Sequence, residues 1–360
     1  MKIDDKTSHN SPFIRFPEFT GEWEYFSIND VCSEFKSGKN IKADLISSNG
    51  NFPVYGGNGL RGYTSSYNHD GLYVLIGRQG ALCGNVRSVF GKIYITEHAI
   101  AVAGNEKSDT NFLHYLFLKM NLGQYSDQSA QPGLAVNKLL KLKVLLPSIS
   151  EQIKIAKLLS LLDERIAVQS RLIDRLQSLM KGIRHRIINE AKGKIVCLCE
   201  VSDIYQPQTI SSADLTETGY PVYGANGIIG HYTSYNHEAE QVCITCRGNT
   251  CGGVNYTKSK SWITGNAMVV NVDRYQNIVS KRYLYHYLSN CDFNSIISGS
   301  GQPQIVRAPL AKFKIILPTV MQQYKIAHCL DVIQNKINVN SNILNLLIRQ
   351  KQYLLRKMFI

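Results

Sequence analysis

The chain has 360 residues, 44% of them apolar, enough for two or three domains with sizeable cores, which excludes wholesale disorder. Forty Lys and Arg against twenty-seven Asp and Glu leave a net charge of +13, which suits an anionic partner, nucleic acid before a membrane surface. No stretch offers the roughly eighteen uninterrupted apolar residues of a membrane span, so no membrane partner is expected.

In chain order, the N-terminal MKIDDKTSHN is polar and lacks the apolar core of a secretory leader, which predicts a cytoplasmic protein. Residues 53–63 read PVYGGNGLRGY, and Gly57-Asn58-Gly59-Leu60-Arg61-Gly62 matches the dinucleotide-binding pattern G-x-G-x-x-G. That pattern needs a strand before it and a helix opening on it. Phe52 to Tyr55 reads as a strand, but Tyr63-Thr64-Ser65-Ser66-Tyr67-Asn68 is a poor helix start, rich in strand and turn formers. Leu72–Ile76 and Lys92–Thr96 also read as strands, Gly/Asn turns lie between, and the stretch around Phe112–Met120 reads as a short helix. The mix predicts an α+β globule.

After Pro147, Ser148-x-x-Glu151 reads as a capping box opening a helix. From Ile155 the seam steps by four and three: Ile155, Leu159, Leu162, Ile166, Gln169, Ile173, Leu176, Met180, Ile183, Ile187. About five heptads of this kind are the signature of a coiled coil, and the single polar position, Gln169, would fix register.

The chain then repeats itself. Residues 220–237, YPVYGANGIIGHYTSYNH, share eleven of eighteen positions with residues 52–69, FPVYGGNGLRGYTSSYNH, at an offset of 168 (52 to 220). The same offset carries Cys83-Gly84 onto Cys251-Gly252, Ile95-Thr96 onto Ile263-Thr264, Val102 onto Val270 and Tyr115-Leu116 onto Tyr283-Leu284. A three-residue insertion is then expected, since Gln131-Pro132 matches Gln302-Pro303 and Leu146-Pro147 matches Leu317-Pro318 at 171 (131 to 302). A period this long means duplicated domains, not a solenoid. Ala225 breaks the glycine pattern in the second copy, which turns the stretch from a phosphate cradle into a tight turn between strands. Cys243, Cys246 and Cys251 lack the second paired spacing of a zinc site and read as thiols in strands, so no metal is expected.

The second copy also ends in a seam: Thr319-x-x-Gln322 caps it, and Ile326, Leu330, Ile333, Ile337, Asn340, Leu344, Leu347, Lys351, Leu354 and Met358 line it. Asn340 stands where Gln169 stands in the first helix. A pseudo-twofold relation between two like units predicts antiparallel helices, with Ile155 near Leu354 and Gln169 opposite Asn340. A helix of this size would be roughly 57 Å long. The predicted fold is therefore an α+β tandem repeat of two similar globular units joined by two long antiparallel coiled-coil helices. Its expected boundaries are 1–147, 148–192, 193–318 and 319–360.

Pro147-Ser148-Ile149-Ser150-Glu151-Gln152-x₂-Ile155-Ala156-x₂-Leu159-x₃-Asp163-x₂-Ile166 resembles the signature helix of DNA-specificity subunits of type I restriction–modification systems. Pro318 to Ile337 is a looser second copy, with Gln334 where Asp163 stands. Arg15-Phe16-Pro17-Glu18-Phe19-x₂-Glu22-Trp23 is similar to that family's approach to its first target-recognition domain, and Gly77-Arg78-Gln79-Gly80 and Ile95-Thr96-x-His98-Ala99 to elements inside such domains. The resemblance implies a non-catalytic subunit with two target-recognition domains, each reading half of a split double-stranded DNA site. The helices would set the spacer and dock two modification (methyltransferase) subunits, which methylate adenine using S-adenosylmethionine. Restriction subunits with ATP-dependent translocase and nuclease activity, and their Mg, would join that core. The chain itself would bind no cofactor, and it shows no P-loop, Asn/Asp-Pro-Pro-Tyr motif or catalytic triad. A stand-alone sequence-specific DNA-binding or regulatory protein is the alternative.

For such a protein, phosphate contacts position and base-edge contacts specify. Arg78 in G-R-Q-G and Arg247 in C-R-G-N fall within one position of each other, with Gln79 and Asn249 beside them. Asn58/Asn226, Asn68/Asn236 and His69/His237 are the same in both copies, and turn-builder and DNA contact remain open for each. Positions that differ are better base readers: Arg61 against Ile229, and Tyr63 against His231. The segments Gln128–Lys138 and Gly299–Arg307, with Gln131, Lys138, Gln302, Gln304 and Arg307, differ too. Two unlike half-sites are expected.

Overall fold

The computed structural model describes residues 10–127, 132–225, 227–299 and 301–360. Gln131 and Asn226, singled out above, lie outside these residues. The chain divides into two compact units, Met1–Gln169 with Ile343–Ile360, and Ser170–Asn342.

The first unit is built on a six-stranded sheet in the order Cys32–Ser37, Ala99–Gly104, His69–Gly77, Val86–Ile95, Phe52–Gly56, Gly59–Thr64. Strand Ala99–Gly104 explains how one sheet serves two layers. Ile100 and Val102 join the core beneath helix Thr110–Met120, with Phe112, Leu113, Leu116 and Phe117, while Ala99 and Ala101 face a smaller cluster with Leu75, Val89, Ile93 and Ile95. Bulky residues therefore alternate with alanines because successive side chains leave opposite faces. Asp109 caps the helix, its carboxylate accepting from the Phe112 N–H at 2.8 Å. An outer pair, Glu24–Ser27 with Lys143–Leu146, leads into the first long helix.

The second unit uses the same plan with a broken sheet. One sheet orders Asp203–Tyr205, Ala267–Asn271, Val242–Thr245, Val254–Tyr256, and another Gly227–Tyr232, Tyr220–Gly224, Trp262–Ile263. The long strand that serves both regions in the first unit is here split into Val254–Tyr256 and Trp262–Ile263. Helix Lys281–Leu288 takes the place of Thr110–Met120, capped by Ser280.

Two matched glutamines fix the register of the repeat. Gln152 is buried; its Nε2 donates to Pro147 O and Lys107 O, both at 2.9 Å, and its Oε1 accepts from Asp109 N at 3.0 Å. Gln323 does the same toward Pro318 O, Ile278 O and Ser280 N at 2.9, 3.0 and 2.8 Å. Asp109 therefore corresponds to Ser280, an offset of 171. This corrects the expected match of Tyr115-Leu116 with Tyr283-Leu284, a coincidence of sequence: the insertion precedes the helix, in the turn around Asp273–Tyr275.

The long helices run Ile149–Glu190 and Val320–Lys357. Every seam position of both is buried or half-buried. In the first unit Ile155, Leu159 and Leu162, from the start of one helix, share a core with Leu347, Leu354 and Met358, from the end of the other. In the second unit Ile188, near the end of the first helix, clusters with Ile326 and Ala327 at the start of the second. Both associations are antiparallel. Lys351, polar at a seam position, reaches Asp163 at 2.5 Å, and Tyr115 Oη donates to the same carboxylate at 3.0 Å.

Only one of the two expected capping boxes forms. Thr319 N donates to Gln322 Oε1 at 3.1 Å and Gln322 N to Thr319 Oγ1 at 3.4 Å. Glu151 is instead drawn to Arg15, which forks onto both of its oxygens at 2.8 and 2.7 Å. The bidentate ion pair is worth more than the cap, because Glu151 is 1% exposed and needs a cation there.

Candidate nucleic-acid interface

The glycine-rich stretch is a β-hairpin. Gly56 pairs with Gly59 around Gly57 and Asn58, and Gly59 has φ +99°, a conformation costly for any other residue. No helix opens on it; residues 59–64 are the return strand. The dinucleotide reading fails on that geometry.

The return strand carries an extra residue. Val54 pairs with Gly62 and Tyr55 with Leu60, which leaves Arg61 unopposed in a β-bulge. The second unit repeats the irregularity: Val222 pairs with Gly230 and Tyr223 with Ile228, leaving Ile229. Bulges re-aim a side chain without altering the surrounding ladder. Both side chains then fold back over a glycine on the facing strand: a Cβ on Gly56 would meet Arg61 Cδ at 2.9 Å, and one on Gly224 would meet Ile229 Cδ1 at 3.0 Å.

Beside each hairpin two loops are stitched together. Arg78 N donates to His98 O at 2.9 Å, Leu134 N to Arg78 O at 2.9 Å, and Gly80 N to Pro132 O at 3.0 Å. The second unit matches bond for bond, with Cys246 N to Asn266 O, Ile305 N to Cys246 O, and Gly248 N to Pro303 O, each at 3.0 Å. This ladder corrects the pairing of Arg78 with Arg247. Arg78 corresponds to buried Cys246 and is half-buried, with its Nε enclosed; the exposed counterpart of Arg247 is Gln79. Single-residue bridges, Gln79 with Gly133 and Arg247 with Gln304, hold these two positions against the neighbouring segment. In the first unit Gly57, Asn58, Arg61, Gln79 and His98 line one surface pocket of about 370 Å³, and Gln79 Oε1 lies 3.1 Å from His98 Nδ1.

The other candidates are placed less uniformly. Asn249, Gln302, Gln304 and Arg307 are exposed around the loops of the second unit. Lys138 is exposed on helix Val136–Leu140 and held by Asp127 at 2.7 Å. Tyr63 and His231 sit in the return strands, half-buried, where their backbones bond Ser47 and Thr216. Two of the matched pairs, Asn68/Asn236 and His69/His237, are structural. Asn68 exchanges hydrogen bonds with Ile95 N and O at 2.8 and 2.9 Å, as Asn236 does with Ile263 at 2.8 and 3.0 Å. His69 and His237 each sit 2.6 Å from their asparagine and are buried, and burial pushes the His237 pKa down.

Two residues were not among the candidate contacts: Arg87, and His98, which the sequence offers only as part of the Ile95-Thr96-x-His98-Ala99 motif. Arg87 lies over the hairpin, its guanidinium 2.9 Å from where a Gly59 Cβ would stand, and its counterpart Asn255 lies near Gly227. His98 is exposed at the pocket. Both belong to matched positions that differ between copies, which was the available signal. Arg61, Arg87 and Arg247 are exposed and have no ion pair among the described residues, so their charge faces outward. Cys243 is buried in its strand, and burial pushes its thiol up to about 12. No helix among the described residues is long and apolar enough to cross a membrane.

The described geometry has relatives. The family of the type I restriction modification DNA specificity domain matches the chain twice, over residues 20–178 and 191–349, a spacing equal to the offset of 171. A type I restriction enzyme EcoprrI specificity subunit of Escherichia coli is 45% identical over 167 residues, covering 45% of this chain and 41% of that protein. A putative type I restriction enzyme specificity subunit of Haemophilus influenzae is 24% identical over 361 residues, 92% of each chain. Among solved structures, the S subunit of a type I restriction-modification system from M. genitalium superposes with a TM-score of 0.77 at 17% identity, covering 97% of this chain and 99% of that one.

Proposed function

The chain belongs to the type I restriction modification DNA specificity family, and from that premise we propose that it is the non-catalytic specificity subunit of such a system, reading a bipartite DNA site. Residues 1–147 and 193–318 hold the two recognition domains, one per half-site. The helices of 148–192 and 319–360 set the spacer and dock two modification subunits, to which S-adenosylmethionine belongs. Restriction subunits using ATP and Mg complete a cytoplasmic assembly.

One observation carries the reading: both units present the same hairpin and stitched loops on one framework, and fill the exposed positions with different side chains. A shared frame with unlike tips suits two recognition sites of unlike sequence. Exposed apolar residues recur at matched places on the long helices, Leu161 with Val332, Val168 with Val339 and Leu172 with Ile343, which supports two like partners. Arg87 and Arg247, exposed and without an ion pair among the described residues, supply the phosphate attraction that any DNA reader needs.

The test is methylome sequencing of cells expressing the chain with its modification subunit. Methylated adenines should fall in a single bipartite motif, absent when the chain is deleted. Exchanging residues 21–147 for those of another family member should alter one half of that motif only; alteration of both halves would refute the modular reading.

A further inference from the structure

Resting on the recognition reading above, we propose that the bulge residue of each hairpin discriminates one base pair of its half-site: Arg61 selects a guanine and Ile229 selects a thymine through its methyl group. A base-reading side chain must be exposed, held by a rigid backbone, and free to differ between domains that read different sequences. Arg61 and Ile229 meet all three conditions. Each is the unopposed residue of the same bulge, flanked by paired residues on both sides, so its backbone is fixed by the ladder. Each lays its stem over a facing glycine, Gly56 or Gly224, whose missing Cβ leaves a shelf of the right width.

The chemistry then separates the two. Arg61 is exposed without an ion pair among the described residues, so its fork is available to the O6 and N7 acceptors of guanine. Ile229 is 45% exposed and stands next to Ile228 at 46%. Two adjacent isoleucines at the end of a hairpin serve no core, and they cannot hydrogen-bond a base edge or a phosphate. The thymine methyl is the feature of the major groove that an apolar side chain distinguishes. The first tip sets exposed Leu60 beside the cationic Arg61 and the second sets Ile228 beside Ile229, so on matching scaffolds the two differ in charge at the bulge residue itself.

The inference is tested by selecting bipartite DNA from a library with both half-sites randomised, using the full chain assembled with its modification subunits. Wild type should enrich one invariant guanine in the first half-site and one invariant thymine in the second. Arg61→Ile should erase or convert that guanine, a loss of roughly tenfold or more in preference, and leave the second half-site unchanged. Ile229→Arg should act on the second half-site alone. Retained selection at the other positions of the same half-site reports that the altered unit is folded, and the unaltered half-site that the assembly is intact. Arg61→Lys should keep affinity while weakening the guanine preference, because an ammonium cannot fork. Equal weakening on all sequences, with a shallower salt dependence, would make Arg61 a phosphate contact and overturn the proposal. Enrichment of no bipartite sequence by wild type would instead overturn the recognition reading, and the inference with it.

Discussion

Replacing Gln323 with Ala should destabilise the second unit far more than a single amide suggests. The side chain is fully buried and makes three hydrogen bonds, each to a backbone group: Pro318 O, Ile278 O and Ser280 N. It thereby ties the last strand, the loop before helix Lys281–Leu288 and the start of the long helix Val320–Lys357 at one point. Alanine orphans all three groups. At roughly 1 kcal/mol net per bond, plus the desolvation of what is left unpaired, the loss should be about 3–5 kcal/mol. Gln323→Met, close in volume and unable to hydrogen-bond, separates bonding from cavity formation and should cost about as much. The assay is urea unfolding followed by tryptophan fluorescence. The sequence has two tryptophans, Trp23 in the first unit and Trp262 in the second, so a Trp23→Phe background makes Trp262 the reporter of the affected unit. A loss below about 1 kcal/mol in both variants would refute the idea that the glutamine is a clamp.

Three further outcomes are expected. Burial lowers the pKa of His114 to about 4, so its neutral form is favoured in the folded state; stability should be intact above the unfolded value near 6.5 and decline as pH falls toward 4. His114→Gln should flatten that slope in a Trp23-monitored pH titration. Arg247→Ala should weaken binding to all DNA and lower the slope of log K against log salt by about one if it contacts a phosphate, as fluorescence anisotropy would show. Adding four residues, about one helical turn, within 165–175 should lengthen the spacer tolerated in the methylated motif.

The duplication was legible because identical residues recur at constant spacing, and the helices because their seams step by four and three without a break. What escaped reading depends on backbone pairing across long separations. The bulge at Arg61 is invisible until Val54 and Tyr55 are seen to pair with Gly62 and Leu60. Arg78 looked like the partner of Arg247 because both are arginines in glycine-flanked loops; only the hydrogen bonds to His98 and Leu134 show that Gln79 occupies the equivalent place. Arg15 lies 136 residues from Glu151, and nothing local announces that it will outbid Ser148 for that carboxylate. Asn68 suits DNA or a turn equally by residue type, and its two hydrogen bonds to the Ile95 backbone decide for structure.

The division of the two long helices sets the sensitivity of the chain to damage. Residues 343–360 belong to the first unit, where Leu347, Met358 and Phe359 share a core with Trp23, Phe112 and Ile155. A premature stop near residue 343 would thus leave the second unit, its nearer neighbour in sequence, with its own residues complete. The harm would fall on the first, whose aromatic trio of Trp23, Phe112 and Phe359 would lose a member and whose seam would lie bare. Lesions that remove residues 343–360 should therefore show up as faulty reading of the first half-site.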